Sequence, residues 1–385
     1  MRILLVTARY YPHRGGLETV VHHLAKGYRR VGHHVRIVTN RYPRTLPAHE
    51  MIDDVPVTRM QFLYPQKRFA NEKSFDLLAA SCWFVPRTAW SLWRTLREFK
   101  PDIINLHYLG APAVFLSVLH RLKRFPWVIT LHGGDVDGEP HVSPQGMRLF
   151  KRSTKQAEIV TSCSRDLATQ AIALSPSIER KLRVIHNGVD AQAFARAQHY
   201  EHPKPYVAAV GQLVEHKGFD LLVDSFGDVA AAHPDIDLLI AGEGESRQKL
   251  TALIEKRGLC GRAHLLGRVD EGTVASLMAG SLFVAMPSRR EPFGIVALEA
   301  MAAGKTVLAT PVGGISEFLP NGINRHVAPE RRAWAAALEE LLAEHERGQL
   351  DGKSNQAVAE NYGWSRVAER YLEVYAEARQ RFMAR

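Results

Sequence analysis

Short apolar runs of five to seven residues, separated by helical patterns, recur along nearly all of this chain. RILLVTA (2–8) is followed by the helical stretch Gly16–Val31 and then by HVRIVT (34–39). DIINLH (102–107), WVITLHG (127–133), IVTSCS (159–164) and RVIHNG (183–188) come next. Runs of this length, rich in Ile, Val and Leu, are what strands buried on both faces of a parallel sheet look like. Their alternation with helices predicts an α/β class. A polar stretch with two prolines, ARAQHYEHPKPY (195–206), then interrupts the series and predicts a linker. The pattern restarts with YVAAVG (206–211), DLLIAG (237–242), AHLLG (263–267), SLFVAMP (281–287) and TVLATP (306–311). The expectation is two doubly wound, Rossmann-like domains in tandem, which 385 residues can fill. The tail WSRVAERYLEVYAEARQRF predicts an amphipathic helix with Val367, Tyr371, Leu372 and Tyr375 at helical spacing.

The net charge of +10 is unevenly spread: residues 1–195 carry +13 and residues 196–385 carry −3. The basic half is expected to meet something acidic: phosphate, an anionic membrane or nucleic acid. Its basic residues are scattered and match no nucleic-acid motif, so nucleic acid is not the expected partner. An anionic membrane surface is the candidate, through Arg29, Arg30, Arg36, Arg94, Arg97 and Lys100. RTAWSLWRTLREFK (87–100) adds Trp90 and Trp93 at amphipathic spacing. The plainer reading is that the tryptophans face a core and the charges are solvated. No apolar run approaches the ~20 residues that span a bilayer. The start, MRILLVTARYY, reads as a first strand and not as a signal peptide. Cys82, Cys163 and Cys260 match no metal spacing and no disulfide framework, which fits a reducing cytoplasm. The expected location is cytoplasmic, with peripheral contact at the inner face of the membrane.

Four motifs carry the chemistry. PHRGGLE (12–18) follows the first strand, and the paired Gly15 and Gly16 let backbone approach a ligand at a helix start. It is not GxGxxG, and GEGES (242–246) also lacks a third glycine, so nicotinamide binding loses its main support. HGGD (132–135) ends a strand at the rim where doubly wound sheets bind ligands. Asp135-Val136-Asp137 also matches a two-carboxylate metal pattern, a minimal hint. GQLVEHKG (211–218) puts Lys217 at a helix head, well placed for a phosphate, although most lysines are simply exposed. Finally, SRREPFGIVALEAMAAGKT (288–306) places Glu291 in the loop before a helix and Glu299 more than one turn inside it. A carboxylate among apolar neighbours needs a partner, and the paired hydroxyls of a ribose would satisfy both its oxygens. Glu291 at the helix mouth is placed for a sugar, while the first amides face a pyrophosphate.

Together these residues resemble the retaining glycosyltransferases of family 4, which have the GT-B fold. The E-x7-E motif of that family resembles Glu291 to Glu299, its lysine before glycine Lys217, its first glycine-rich loop Gly15–Gly16, and its strand-end histidine His132. HNGVD (186–190) and PDIINLH (101–107) are similar to its interdomain and first-domain sequences. The resemblance covers nearly the whole chain. It implies two Rossmann-like domains facing each other across a cleft: an acceptor domain over 1–195, a nucleotide-sugar donor domain over 196–365, and a helix over 366–385 returning to the first. It implies Glu291, His132 and Lys217 as the catalytic residues. Lys217 would stabilise the departing diphosphate, His132 and Glu291 would lie at the donor sugar, and Glu299 would bind ribose. Gly15, Gly16, Gln212, Arg290, Phe293, Gly294, Ile295 and Val296 would complete the donor site, with Val269 beside the base. Tyr108 and Asp135 would meet the acceptor. The substrates implied are a nucleotide-diphosphate sugar and a carbohydrate or lipid-linked acceptor in cell-envelope or polysaccharide synthesis. No cofactor or metal is implied.

Two positions depart from the family pattern. Gln212 stands where arginine is usual, leaving one cation fewer on the diphosphate, with His216, Arg289 and Arg290 as the candidates nearby. NGINRHVAP (321–329) has Asn324 and Arg325 where a second glycine is usual. The competing readings are a nucleotide-sugar epimerase that hydrolyses its donor and, in a different class, a basic nucleic-acid or membrane binding module. The second would leave Glu291 and Glu299 without a role.

Overall fold

The computed structural model describes residues 1–62 and 75–384. The chain divides into two compact units: Met1–His186 together with the segment from Trp364 onward, and Asn187–Gly363.

Unit 1 contains β1 (Arg2–Thr7), α1 (Gly16–Arg30), β2 (His34–Asn40), β3 (His49–Ile52), β4 (Val55–Met60), α2 (Phe75–Phe99), β5 (Ile103–His107), α3 (Ala111–Leu122), β6 (Trp127–Leu131), α4 (Glu139–Val142), α5 (Pro144–Gln156), β7 (Ile159–Ser162), α6 (Arg165–Leu174) and β8 (Leu182–Val184). The sheet order is β3-β4-β2-β1-β5-β6-β7-β8. Every pairing is parallel except β3 with β4. β5 and β6 are buried at every position, as their unbroken apolar runs require.

Unit 2 contains α7 (Ala191–Ala195), β9 (Tyr206–Val210), α8 (Phe219–Val229), β10 (Asp237–Ala241), α9 (Arg247–Lys256), β11 (Ala263–Gly267), α10 (Glu271–Gly280), β12 (Val284–Met286), α11 (Ile295–Ala302), β13 (Val307–Ala309), β14 (Arg325–His326), α12 (Arg331–Glu346) and α13 (Asn355–Glu360). Its sheet runs β11-β10-β9-β12-β13-β14, all parallel. The last helix, α14 (Trp364–Met383), belongs to unit 1. It buries Val367, Tyr371, Val374, Tyr375 and Ala378 along one face. Against α1, the Tyr28 and Tyr375 hydroxyls lie 3.1 Å apart and His23 stacks on Trp364. Asn105 of β5 donates to the Tyr375 hydroxyl at 2.7 Å. Leu372, expected on the same face, is only half-buried.

Three features differ from expectation. The change of unit falls between His186 and Asn187, so the stretch expected as a linker lies inside unit 2. α7 is capped by Asp190 and packs on α10 and α11, and the Val189 amide donates to the Tyr362 carbonyl. The hairpin β3–β4 was not foreseen. Its two-residue turn is Asp53-Asp54, both at positive φ, the geometry that suits the twist of a hairpin. Third, Asn324 stands in the loop that departs from the family pattern and is buried. It accepts from the Val307 amide, donates to the Pro320 carbonyl and pairs with buried Asn355. Arg325 beside it pairs with Glu344. Among the described side chains, neither Cys163 nor Cys260 is in a disulfide, and the Cys82 side chain lies outside them.

Candidate active site

In a doubly wound sheet, ligands bind outside the carboxyl ends of the strands where the winding reverses. In unit 2 that point lies between β9 and β12. After β9 come exposed Gln212, a single 3-10 turn over Glu215–Lys217, and Gly218. Gly218 has φ +70°, and a Cβ there would lie 2.0 Å from the Pro287 carbonyl oxygen. Only glycine lets this loop press against the residue that follows β12. The Arg289 and Arg290 amides both donate to the His216 carbonyl, at 2.8 and 3.3 Å, and lock the two loops together.

This places Lys217 Nζ 2.5 Å from Glu291 Oε2, although the residues are 74 apart in sequence. Ser288, itself buried, donates its hydroxyl to the same oxygen at 3.1 Å. The side chains of Lys217 and Glu291 are 20% and 9% exposed, so water screens this pair less than a surface ion pair. α11 then starts at Ile295 behind Gly294, whose φ is +98°. Ile295 and Val296 are half-buried, and their amides belong to the helical turn that lacks internal acceptors. Phe293 is buried with its ring against Phe318, so it has only main chain to offer a ligand. Glu299 is half-buried on α11, and among the described residues its carboxyl makes no hydrogen bond. Burial, reinforced by the charge of Glu271, pushes its pKa up to about 8. Val269 is half-buried, just beyond β11. Of the candidate cations, Arg289 makes paired hydrogen bonds to Asp220 at 2.8 and 2.7 Å and another to the Glu215 carbonyl. Arg290 is exposed, next to Glu291.

In unit 1 the winding reverses between β1 and β5. Gly15 and Gly16 stand after β1, with Gly15 as the N-cap of α1 and no side-chain cap. Tyr108 follows β5 at φ +73°, half-buried, with its ring over Gly134. His132 follows β6, and its Nε2 lies 3.1 Å from Nδ1 of fully buried His107. Burial holds the His132 pKa down at about 3 and that of His107 well below its usual value, so this pair is neutral at physiological pH.

Asp135 requires a correction. It is wholly buried and accepts from the His132 and Gly133 amides at 2.9 Å each and from the Leu109 amide at 3.3 Å. With both oxygens on main chain, it braces the loops after β5 and β6. It has no face for an acceptor. The sequence reading missed His107 and Ser288. A polar residue closing the apolar strand IINLH was the available signal for the first. A hydroxyl three residues before Glu291 was the signal for the second.

The two parallel α/β units with these loops define a glycosyltransferase of the GT-B fold. Sucrose-phosphate synthase from Thermosynechococcus elongatus matches with a TM-score of 0.81 at 22% identity over 100% of both chains. HepE of Anabaena in complex with UDP-glucose matches with a TM-score of 0.76 at 21% identity over 98% of this chain and 99% of that one. The family model described as Glycosyltransferase Family 4 matches residues 14–193, and that described as Glycosyl transferases group 1 matches residues 191–361. The chain therefore belongs to the family-4 glycosyltransferases. Phosphatidyl-myo-inositol mannosyltransferase of Mycobacterium tuberculosis is 29% identical over 391 residues, 97% of this chain and 96% of that protein.

Proposed function

We propose that the protein is a retaining, metal-independent glycosyltransferase. Unit 2 holds a nucleotide-diphosphate sugar, and unit 1 binds a carbohydrate or lipid-linked acceptor for cell-envelope or polysaccharide synthesis. The observation that carries this reading is the Lys217–Glu291 pair at the unit 2 switch point, beside the start of α11.

Cleavage of the donor's C–O bond leaves negative charge growing on a phosphate oxygen. The Lys217 ammonium and the first amides of α11 are preorganised to stabilise that charge. Once Lys217 turns to the diphosphate, Glu291 accepts hydrogen bonds from sugar hydroxyls, still oriented by Ser288. Glu299 accepts from the two ribose hydroxyls, which supply the partners its carboxyl lacks. His132, neutral and braced by His107, can make a hydrogen bond in unit 1 without carrying a charge. Fixed cations and amides thus supply what a bound metal would otherwise supply.

The HepE complex contains UDP-glucose, which favours a UDP-sugar donor here, and the mannosyltransferase relative favours a lipid headgroup among the acceptors. Among the described residues no helix is long and apolar enough to cross a membrane. Unit 1 carries a formal +16 and unit 2 −6. That asymmetry supports a cytoplasmic enzyme seated peripherally on the inner membrane face.

Thermal-shift measurements against UDP, GDP, ADP and TDP test the donor, since a ligand at 100 times its Kd stabilises by about 2.7 kcal/mol. No shift with any of the four removes the donor reading. NMR of the product's anomeric proton tests retention, and an inverted product overturns it. Turnover in EDTA tests metal independence, and loss of activity overturns that part.

A further inference from the structure

The parallel sheet of unit 2 has a second cluster at its other edge. Asp237 is the first residue of β10, His264 the second of β11, and His202 stands shortly before β9. All three lie at the amino ends of their strands, and the Lys217–Glu291 loops lie at the carboxyl ends. A five-residue strand separates the two edges by roughly 17 Å.

His202 Nε2 is 2.8 Å and His264 Nε2 3.5 Å from the same oxygen, Asp237 Oδ2. One ligand atom from each residue falls within 4.8 Å of the other two. In a tetrahedral zinc site with bonds of about 2.0–2.1 Å, neighbouring ligand atoms stand roughly 3.3 Å apart. The two distances to Asp237 Oδ2 straddle that value, and the ligand atoms of the two imidazoles lie within 4.8 Å of each other. The other carboxylate oxygen, Oδ1, accepts from Arg262 Nε at 3.1 Å. Arg262 is itself held by the His233 and Ile236 carbonyls. Oδ2 is therefore left facing the two rings, as an outer-shell hydrogen bond arranges in metal sites. His264 Nε2 is cut off from solvent and makes no hydrogen bond. A buried imidazole nitrogen without a hydrogen bond is costly unless something else occupies its lone pair. A surface depression of about 360 Å³ runs along His199, Tyr200, Glu201, His202 and Pro203, so the His202 side of the cluster borders it.

We propose that His202, Asp237 and His264 bind a divalent transition ion of the zinc class, with water completing the coordination. Two imidazoles and one carboxylate suit zinc and its neighbours over calcium or magnesium. The ion ties the segment before β9 to the starts of β10 and β11, so it stabilises unit 2 and takes no part in sugar transfer. The Arg262 guanidinium opposes cation binding and keeps the ion exchangeable. The inference is independent of the donor reading, because its readouts are binding and stability.

The test uses the untagged full-length protein, stripped with EDTA and desalted. Calorimetric titration with ZnCl2 should show one equivalent bound, and thermal unfolding should shift upward with Zn2+. His264→Gln and His202→Gln should each raise the Kd about tenfold or more and remove the Zn2+-dependent shift. Cys260→Ser controls for the exposed thiol and should bind as the wild type does. Pulsed EPR of Cu2+ in the wild type should show two coupled imidazoles, a readout that needs no variant. The proposal is overturned if the wild type binds no equivalent, if both histidine variants bind like the wild type, if Cys260→Ser abolishes binding, or if the Cu2+ spectrum lacks imidazole coupling.

Discussion

Lys217 Nζ lies 2.5 Å from Glu291 Oε2, so the cation that we propose receives a diphosphate rests on the carboxylate that we propose receives a sugar. Neither is held alone in a half-dry site, and on the proposed reading donor binding would separate them. Lys217→Ala and Glu291→Ala should each lower turnover by about two to three orders of magnitude. Lys217→Ala also strands a shielded carboxylate, so the double variant with Glu291→Gln should melt higher than Lys217→Ala alone. Normal turnover in folded Lys217→Ala removes the leaving-group role.

Glu299, with its pKa at about 8, is protonated at neutral pH before ligand binds. Ribose hydroxyls donating to it favour the charged form, so UDP binding should expel a proton. Affinity should therefore rise as pH increases from 6 to 8 and level off above. Glu299→Gln should bind more weakly at pH 8 and lose this slope. The same shift affects folding. The native state holds a proton that the unfolded chain releases near pH 4.5, so this group erodes stability as pH climbs from 4.5 to 8. Above pH 8, Glu299→Gln should melt higher than the wild type. A calorimetric titration in buffers of different ionisation enthalpy that detects no proton release contradicts the assignment.

Gln212 brings no charge to the proposed diphosphate site, and Arg289 is paired with Asp220. Arg290→Ala should weaken UDP binding about tenfold, and Gln212→Arg should restore much of that loss in the double variant. Arg289→Ala should lower the melting temperature and leave UDP affinity within about twofold. If Arg290→Ala binds UDP normally, Lys217 and main-chain amides hold the diphosphate alone.

Gly218 combines positive φ with close approach to Pro287. Gly218→Ala should cost about 1–2 kcal/mol for the backbone conformation alone. The clash adds to this and pushes the Lys217 loop away from Glu291. Urea unfolding and turnover should fall together. A variant that keeps both is incompatible with this packing.

Trp90 is 59% and Trp93 37% exposed on α2, with the Arg94 guanidinium over the first ring and that of Arg97 over the second. Tryptophans in the open beside arginines suit a lipid headgroup layer better than a core. The protein should sediment with anionic vesicles and not with neutral ones. Binding should fade with added salt, because attraction decays within about 8 Å at physiological ionic strength. Trp90→Ala/Trp93→Ala should weaken it. Equal sedimentation with both vesicle types rules out the electrostatic version.

Local chemistry made much of this protein legible from its residues alone. The strands β1, β2 and β5–β13 announced themselves as apolar runs, because burial on both faces leaves no room for alternation. The loops at the two switch points were found through Gly-Gly, Lys-Gly and the glutamates on either side of Ile295–Leu298, since turn and helix-start chemistry depends on neighbours in sequence. The partners of those side chains were decided only when strand order brought distant loops together. Strand order placed Lys217 on Glu291, turned Arg289 to Asp220, and buried Asp135 under three amides. The same holds for His107 behind His132 and for His202 and His264 around Asp237. Periodicity states which face of an element is buried, but not which element covers it. A charged side chain takes its role from the nearest opposite charge or hydrogen-bond donor in space, and sequence separation does not record that distance.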